Sequence, residues 1–239
     1  TVGDMDSIKK CVLDNIEELR GKYICVSNVH TTVTAYENRN YRRVQNGAAM
    51  VFPDGGPLSI VCRLRGYKNA SRVTGPDFMG EIFKEKGVRQ FFYGSTPETL
   101  DKLRGILEKE HPDIQICGMY SPPFRTLSHE EDEEIVDMIN AAKPDIVWIG
   151  LGAPKQENWM AKHEGRINAV MVGVGAGFDY FAGNIKRAPM IMQKLSLEWL
   201  YRLVQEPKRL YKRYFSTNTV FLIANYRLWK QYRKIKKRR

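Results

Sequence analysis

The stretch that decides the fold is residues 145–160, which read DIVWIGLGAPKQENWM. Its first part, up to Ile149, is apolar and rich in β-branched side chains, which is typical of a strand buried in a parallel sheet. The run ends at two glycines and Pro154, and a helical pattern with polar residues follows. Ligands of open α/β sheets bind at the carboxyl ends of strands, so this junction indicates a binding site, although a solvated turn has the same spacing.

Strand-like and helix-like patterns alternate along most of the chain. This alternation predicts an α/β fold with a Rossmann-like, mostly parallel sheet and helices on both faces, while the strand order stays unreadable. The predicted strands are residues 23–27, 48–52, 90–94, 114–118, 145–150 and 169–174. The predicted helices are about residues 6–20, 32–46, 57–66, 77–87, 97–110, 129–142 and 155–165. We therefore expect a core over residues 1–188 and a helical basic appendage over residues 189–239.

The net charge of +11 is concentrated at the end of the chain. No acid follows Glu206, and residues 207–239 hold 12 of the 38 Lys and Arg, which leaves 26 basic against 27 acidic side chains in the first 206 residues. A neutral body with a basic tail favours an anionic partner, either phospholipid or nucleic acid.

A final helix, predicted from about residue 217, has one apolar and one basic side. This pattern is typical of a helix that lies in an anionic membrane surface, and packing on the body or on a sister subunit is the alternative. The residues that we assign to membrane contact are Phe221, Arg227, Trp229, Lys230 and Lys234.

Several classes of protein are excluded by what the sequence lacks. No apolar run approaches the roughly 20 residues that a membrane-spanning helix needs. Four cysteines without CxxC spacing indicate free thiols in a reducing, cytoplasmic compartment. Neither the four histidines nor any DxD motif suggests a metal site. The GVGAGF run at 173–178 lacks the third small residue of a dinucleotide fingerprint, so we expect no cofactor.

Two charged residues, one after a predicted strand and one before a predicted helix, suit catalysis, although each has a simpler interpretation. Asp54, in PDGGP, is a carboxylate on a turn and would serve as a general base, but Asp-Gly also simply forms turns. Arg72, in RVTGPDF, precedes a helix start and suits a diphosphate, but a surface arginine is as common there.

Taken together, the motifs resemble one family, the WecG/TagA/CpsF bacterial glycosyltransferases. The matching segments are PDG at 53–55, RVTGPD at 72–77, GLGAPKQE at 150–157, GAGFDYFAG at 175–183, and RAP, LEWLYRL and EPKRLYKRY between 187 and 214. They occur in the family's order over nearly the whole chain, and five such segments in sequence are highly specific.

The resemblance implies an inverting, metal-independent transfer of a sugar from a UDP-sugar to an undecaprenyl-diphosphate-linked acceptor. Such a transfer would take place on the inner face of the cell membrane, in the synthesis of surface polysaccharide or wall polymers. The donor sugar stays open between N-acetylmannosamine, its uronic acid, glucuronic acid and another hexose. The implied partners are the UDP-sugar, the polyprenyl-diphosphate acceptor and an anionic membrane surface, and a homo-oligomer is left open.

The resemblance also assigns residues by position. Asp54 and Arg72 are the catalytic pair, the first as the base and the second on a diphosphate. Val26 stands where the family usually has Thr, and Thr31 or Thr32 would substitute for it. The remaining implied substrate-binding residues are Asn28, Gln156, Asp179, Arg202, Arg209 and Arg213.

Two other functions fit parts of the sequence. A nucleic-acid-binding module would use the basic tail, but no RRM, KH or helix-turn-helix signature is present, and the strand-end motifs would stay unexplained. A non-catalytic assembly protein would keep the fold without the chemistry. The presence of Asp54, Arg72 and Gln156 argues against that second alternative.

Overall fold

A computed structural model describes residues 1–194 and 197–236, and within them six parallel strands form one sheet. The side chains of Lys194, Arg209, Arg213 and residues 231–236 lie outside the described part. The strands are β1 Tyr23–Ser27, β2 Met50–Pro53, β3 Arg89–Gly94, β4 Gln115–Tyr120, β5 Ile146–Gly150 and β6 Val170–Gly173. Their order across the sheet is β2-β1-β6-β5-β3-β4. The predicted Rossmann-like α/β fold is confirmed.

Helices surround the sheet and also close the chain. They are α1 Met5–Asp14, α2 Val29–Glu37, α3 Arg39–Gly47, α4 Gly56–Leu64, α5 Gly75–Ile82, α6 Pro97–Glu110, α7 His129–Ala141, α8 Lys155–Lys162, α9 Gly177–Phe181, α10 Met190–Lys194, α11 Glu198–Gln205 and α12 Pro207–Lys236. The stretch 32–46, predicted as one helix, is divided between α2 and α3. The break falls at Asn38, whose side chain accepts hydrogen bonds from the first N–H groups of α3 and so starts a new helix.

The central position of β5 explains its unbroken apolar sequence. Val147 and Ile149 pack into the core on one face of the sheet, while Ile146 and Trp148 pack into the core on the other. The indole nitrogen of Trp148 donates to Gln90 at 2.9 Å, so its polar atom is satisfied inside the protein. A strand covered on both faces needs apolar side chains at every position.

The order of the strands opens a crevice at the carboxyl edge of the sheet. The chain passes from β1 to β2 towards one edge and from β3 to β4 towards the other, and β5 and β6 then fill the middle. A reversal of this kind separates the loops on either side of it, which leaves space for a ligand.

The C-terminal helices correct one prediction. The final helix, predicted from about residue 217, instead begins at Pro207 as the 30-residue α12. Proline is tolerated in a first helical turn because its missing N–H has no partner to lose there. Among the described side chains of α12, those of Leu210, Thr217 and Phe221 are buried.

None of the described helices combines the length and apolar character needed to cross a bilayer. The four cysteines are free thiols, as expected, and Cys25 is buried.

Candidate active site

A cavity of about 880 Å³ lies at the carboxyl edge of the sheet. Its walls come from the loops after β1, β2, β3, β5 and β6, and from α11 and α12. The cavity brings together six of the residues predicted for catalysis or substrate binding, which are Asn28, Asp54, Arg72, Gln156, Asp179 and Arg202. The side chains of Arg209 and Arg213 lie outside the described residues.

The loop after β1 is fixed by a capping box at the start of α2. The Asn28 side chain accepts from the Thr31 N–H at 3.2 Å, and the Thr31 hydroxyl accepts from the Asn28 N–H at 2.8 Å. Thr31 is buried and lines the cavity together with Asn28 and Val26. Thr32 is absent from the wall, and its hydroxyl lies 3.4 Å from that of Ser27. Thr31 is therefore the threonine nearer to a bound ligand.

Asp54 occupies the turn after β2 and is held there by its backbone. Its N–H donates to the carbonyl of Ser27 at 2.7 Å, which joins the ends of β1 and β2. Burial raises the pKa of the Asp54 carboxyl to about 6, with Arg72 opposing the rise and Glu198 and Asp77 adding to it. A carboxylate with this pKa is well matched to accepting a proton near neutral pH.

Arg72 joins the body of the protein to the C-terminal helices. Its guanidinium pairs with Glu198 of α11 and lies 3.6 Å from the carboxylate of Asp77. Asp77 also accepts from Arg187 at 2.6 Å, so two arginines share one carboxylate. No role was predicted for Glu198 or Arg187, although both lie within the quoted motifs, because only their contacts in the folded protein reveal one.

Gln156 shapes the floor of the cavity. Its side-chain oxygen accepts from the Gly175 N–H at 3.0 Å, and its nitrogen donates to Glu157 at 2.9 Å. Glu157 is fully buried, and burial raises the pKa of its carboxyl. A Cβ at Gly173 would come within 3.1 Å of the Gln156 nitrogen, so a side chain there would crowd this link between α8 and the loop after β6.

Asp179 lies in α9, a short helix that the sequence pattern did not predict. Its carboxylate accepts from the side chain of Asn184 at 3.1 Å, and it lines the cavity. A Cβ at Gly150 would come within 2.7 Å of the Phe178 ring, so α9 packs directly on the end of β5. This close packing brings Asp179 to the cavity.

The residues predicted for membrane contact divide into two groups. Phe221 is only 7% exposed and lines the cavity, because this part of α12 packs along α2. Arg227, Trp229 and Lys230 lie further along α12 and are exposed. The side chain of Lys234 is outside the described residues.

Over residues 1–194 and 197–236, no group of three or more His, Cys, Asp or Glu side chains is arranged to hold a metal ion. Among the side chains that the structure describes, the charged residues of the cavity wall are three acids and three arginines, namely Asp54, Asp179, Glu198, Arg72, Arg187 and Arg202.

An α/β fold with such a cavity, closed by C-terminal helices, agrees with the comparison to known families. Residues 1–238 match the model of the Glycosyl transferase WecG/TagA/CpsF family. The protein belongs to this family and is a glycosyltransferase. The resemblance inferred from the five motifs is thereby confirmed.

Similar proteins include three that carry one name, N-acetylglucosaminyldiphosphoundecaprenol N-acetyl-beta-D-mannosaminyltransferase. The proteins from Bacillus spizizenii and Bacillus subtilis are each 33% identical, over 198 and 201 residues, covering 81% of this chain and 75% of the relative. The protein from Staphylococcus aureus strain MW2 is 33% identical over 220 residues, which cover 90% of this chain and 82% of the relative's length.

Proposed function

We propose that this glycosyltransferase moves N-acetylmannosamine from its UDP-linked form to undecaprenyl-diphosphate-linked N-acetylglucosamine, with inversion and without a metal ion. The observation that carries the proposal is that Asp54, with its raised pKa, shares one cavity with Arg72 and Arg202. The names of the relatives indicate which sugar is transferred and which acceptor receives it. The reaction would build a lipid-linked precursor of a cell-wall polysaccharide.

In the proposed step, the Asp54 carboxylate removes the proton from a hydroxyl of the acceptor sugar. The hydroxyl oxygen forms a bond to the anomeric carbon of the donor, while the bond from that carbon to the diphosphate oxygen breaks. UDP leaves with the electron pair, and a single displacement of this kind inverts the anomeric centre. It converts an α-linked nucleotide sugar into the β-linked product that the relatives' names specify.

The leaving UDP develops negative charge as its bond to the sugar breaks. Arg72 and Arg202 both line this cavity, and their positive charge would offset the charge on UDP. Positive groups that are already in place stabilise a developing charge without reorganising solvent. The cavity therefore supplies both a base and a charge sink, which is what a metal-independent transfer needs.

The acceptor carries a long polyprenyl chain, so the protein has to work at a membrane. We assign this contact to the exposed part of α12, with Arg227, Trp229 and Lys230, on the inner face of the cytoplasmic membrane. Basic and aromatic side chains on one helix are typical of attachment to anionic lipid surfaces. Attachment would bring the cavity, whose wall includes the preceding part of the same helix, close to the acceptor.

The test is a transfer assay with a synthetic N-acetylglucosaminyl-diphospho-lipid and a panel of UDP-sugars. We expect mass spectrometry to show addition of one N-acetylhexosamine from UDP-N-acetylmannosamine, and NMR of the product to show a β linkage. Preferred transfer of a uronic acid or a simple hexose would replace the proposed donor. Failure to transfer any sugar from the panel would overturn the proposed reaction.

A further inference from the structure

Two arginines of the cavity wall lie over the same aromatic ring. The guanidinium carbon of Arg187 is 6.0 Å from the centre of the Tyr180 ring, and that of Arg202 is 5.7 Å from it. Tyr180 belongs to α9, Arg187 to the segment between α9 and α10, and Arg202 to α11. The electron-rich face of an aromatic ring attracts cations. Tyr180 therefore brings two positive groups from separate segments together at one part of the cavity.

Both arginines keep a donor group unused. The Nε atoms of Arg187 and Arg202 are buried, and neither has a hydrogen-bond partner within the described part of the chain. Buried polar groups are nearly always hydrogen-bonded, so two unpartnered donors in one wall call for an acceptor. The fork formed by Nε and Nη of a guanidinium matches two oxygens of a phosphate. Arg187 also donates from Nη2 to Asp77, which fixes one end of its side chain.

We propose that Arg187 and Arg202, positioned by the Tyr180 ring, together bind a diphosphate group. This inference rests on the proposed function, in which two diphosphates, one on the nucleotide donor and one on the lipid acceptor, approach the same cavity. Arg187 and Tyr180 are thereby added to the binding residues. Arg72 differs from this pair, because its guanidinium is engaged by Glu198 and lies beside Asp77.

The first experiment measures binding by Arg187→Gln, with UDP and uridine as probes in calorimetry, and its KM for the lipid-diphosphate acceptor. Loss of a charge-assisted hydrogen bond weakens binding by about 10- to 100-fold. If the site takes the donor diphosphate, affinity for UDP falls by this factor while affinity for uridine is kept. If it takes the acceptor diphosphate, UDP affinity is kept and the acceptor KM rises instead. If both quantities stay within about twofold of wild type, the proposal is overturned.

A second variant separates diphosphate binding from a merely structural ion pair. Asp77→Asn breaks the same contact with Arg187 but keeps the cation, so we expect diphosphate binding to be maintained or strengthened. Equal weakening by Asp77→Asn and Arg187→Gln would show that only the ion pair matters, against the proposal. Arg166→Gln, which removes a similarly paired arginine outside the cavity, is the matched control and should leave binding unchanged.

The positioning role of Tyr180 has its own readout. Tyr180→Phe keeps the ring and should bind the diphosphate as wild type does, whereas Tyr180→Leu should weaken binding several-fold. Equal behaviour of the two variants would remove Tyr180 from the site. The calorimetric measurements with UDP and uridine do not depend on turnover, so a wild-type protein that binds UDP but transfers no sugar would contradict the proposed function and leave this inference standing.

Discussion

Asp54 has to be negatively charged to act as a base, yet burial disfavours that charge. Burial raises its pKa to about 6, which leaves the carboxylate largely ionised at neutral pH but more basic than an exposed aspartate. Arg72 opposes the rise and so keeps the ionised form accessible. With these opposing effects, the Asp54 carboxylate is a stronger base towards a hydroxyl proton than an aspartate in water would be.

We expect Asp54→Asn to reduce kcat by about 10²- to 10⁴-fold, the usual contribution of a positioned base, while UDP binding stays close to wild type. The change is nearly isosteric and keeps the backbone hydrogen bond to Ser27. Steady-state kinetics and calorimetry measure the two effects. The control is Asp145→Asn, which alters an aspartate outside the cavity. Asp145 lies just before β5 and pairs with Arg20. Turnover of the Asp54 variant within a few-fold of wild type would show that another group is the base.

A second prediction concerns pH. Because the deprotonated form of Asp54 is the active one, kcat/KM should rise with pH and level off above about 6. The neighbouring Glu198 raises this pKa, and Asp77 does so too, while Arg72 and Arg202 lower it. Glu198→Gln removes one negative charge and frees Arg72, and both effects lower the pKa of Asp54. The rising limb should therefore move to lower pH, and a limb that stays in place or moves upward would contradict this assignment.

The sequence was sufficient to nominate Asp54, Arg72 and Gln156, because Asp54 and Gln156 lie in motifs next to predicted strand ends and Arg72 lies in a motif just before a helix start. It could not nominate Glu198, since the importance of that residue comes from contact with Arg72, 126 residues away. The sequence left Thr31 and Thr32 as alternatives for a similar reason. Neighbouring positions on a helix point about 100° apart, and only the packing of α2 shows which one faces the cavity.

At the scale of elements, the strands were predicted more reliably than the last helices. A buried parallel strand such as β5 is recognisable because both of its faces must be apolar. Pro207 is ambiguous by contrast, since proline both ends helices and begins them. The order of the strands was unreadable because all six are similar apolar runs, and nothing local to a strand specifies its neighbours.

The position of α12 defines where a truncation should be made. Thr217, Phe221 and Leu222 line the cavity, so a chain ending at Ile223 keeps the wall while losing eight Lys and Arg. Each cation near an anionic surface contributes about 1 kcal/mol of binding, so cosedimentation with anionic vesicles should be lost. Activity on a short, soluble acceptor should be maintained.

The matched variant for this truncation replaces Arg227, Lys230 and Lys234 with Gln, which keeps the length of the helix. It should reduce vesicle binding partially, and the difference from wild type should become smaller as salt is added, because salt screens the charges that the variant removes. Undiminished cosedimentation of the truncated protein would show that a surface other than the end of α12 binds the membrane.

At the scale of the whole molecule, charge is separated into a nearly neutral body and a basic C-terminal helix. Within the body, Arg72 and Arg202 both line the cavity, and in the proposed mechanism they offset the charge of UDP. We therefore expect transfer to continue in EDTA at a rate within about twofold of that with Mg²⁺, because the cations that do this work are part of the chain. Complete loss on chelation, with recovery on adding a divalent cation, would contradict this prediction.

In the proposed membrane-bound state, the continuity of α12 would set the orientation of the cavity relative to the bilayer. A helix of 30 residues is about 45 Å long, and α12 carries both cavity-lining and exposed basic side chains. Two alanines inserted after Ala224 would turn the outer half by about 200°, whereas seven would turn it by only about 20° from its original direction. Both variants should bind vesicles and use a soluble acceptor, but the two-residue insertion should transfer far less sugar to a vesicle-embedded acceptor. Equal transfer by the two variants would mean that α12 does not determine the direction in which the cavity faces the membrane. A difference would mean that the rotation of α12 sets that direction.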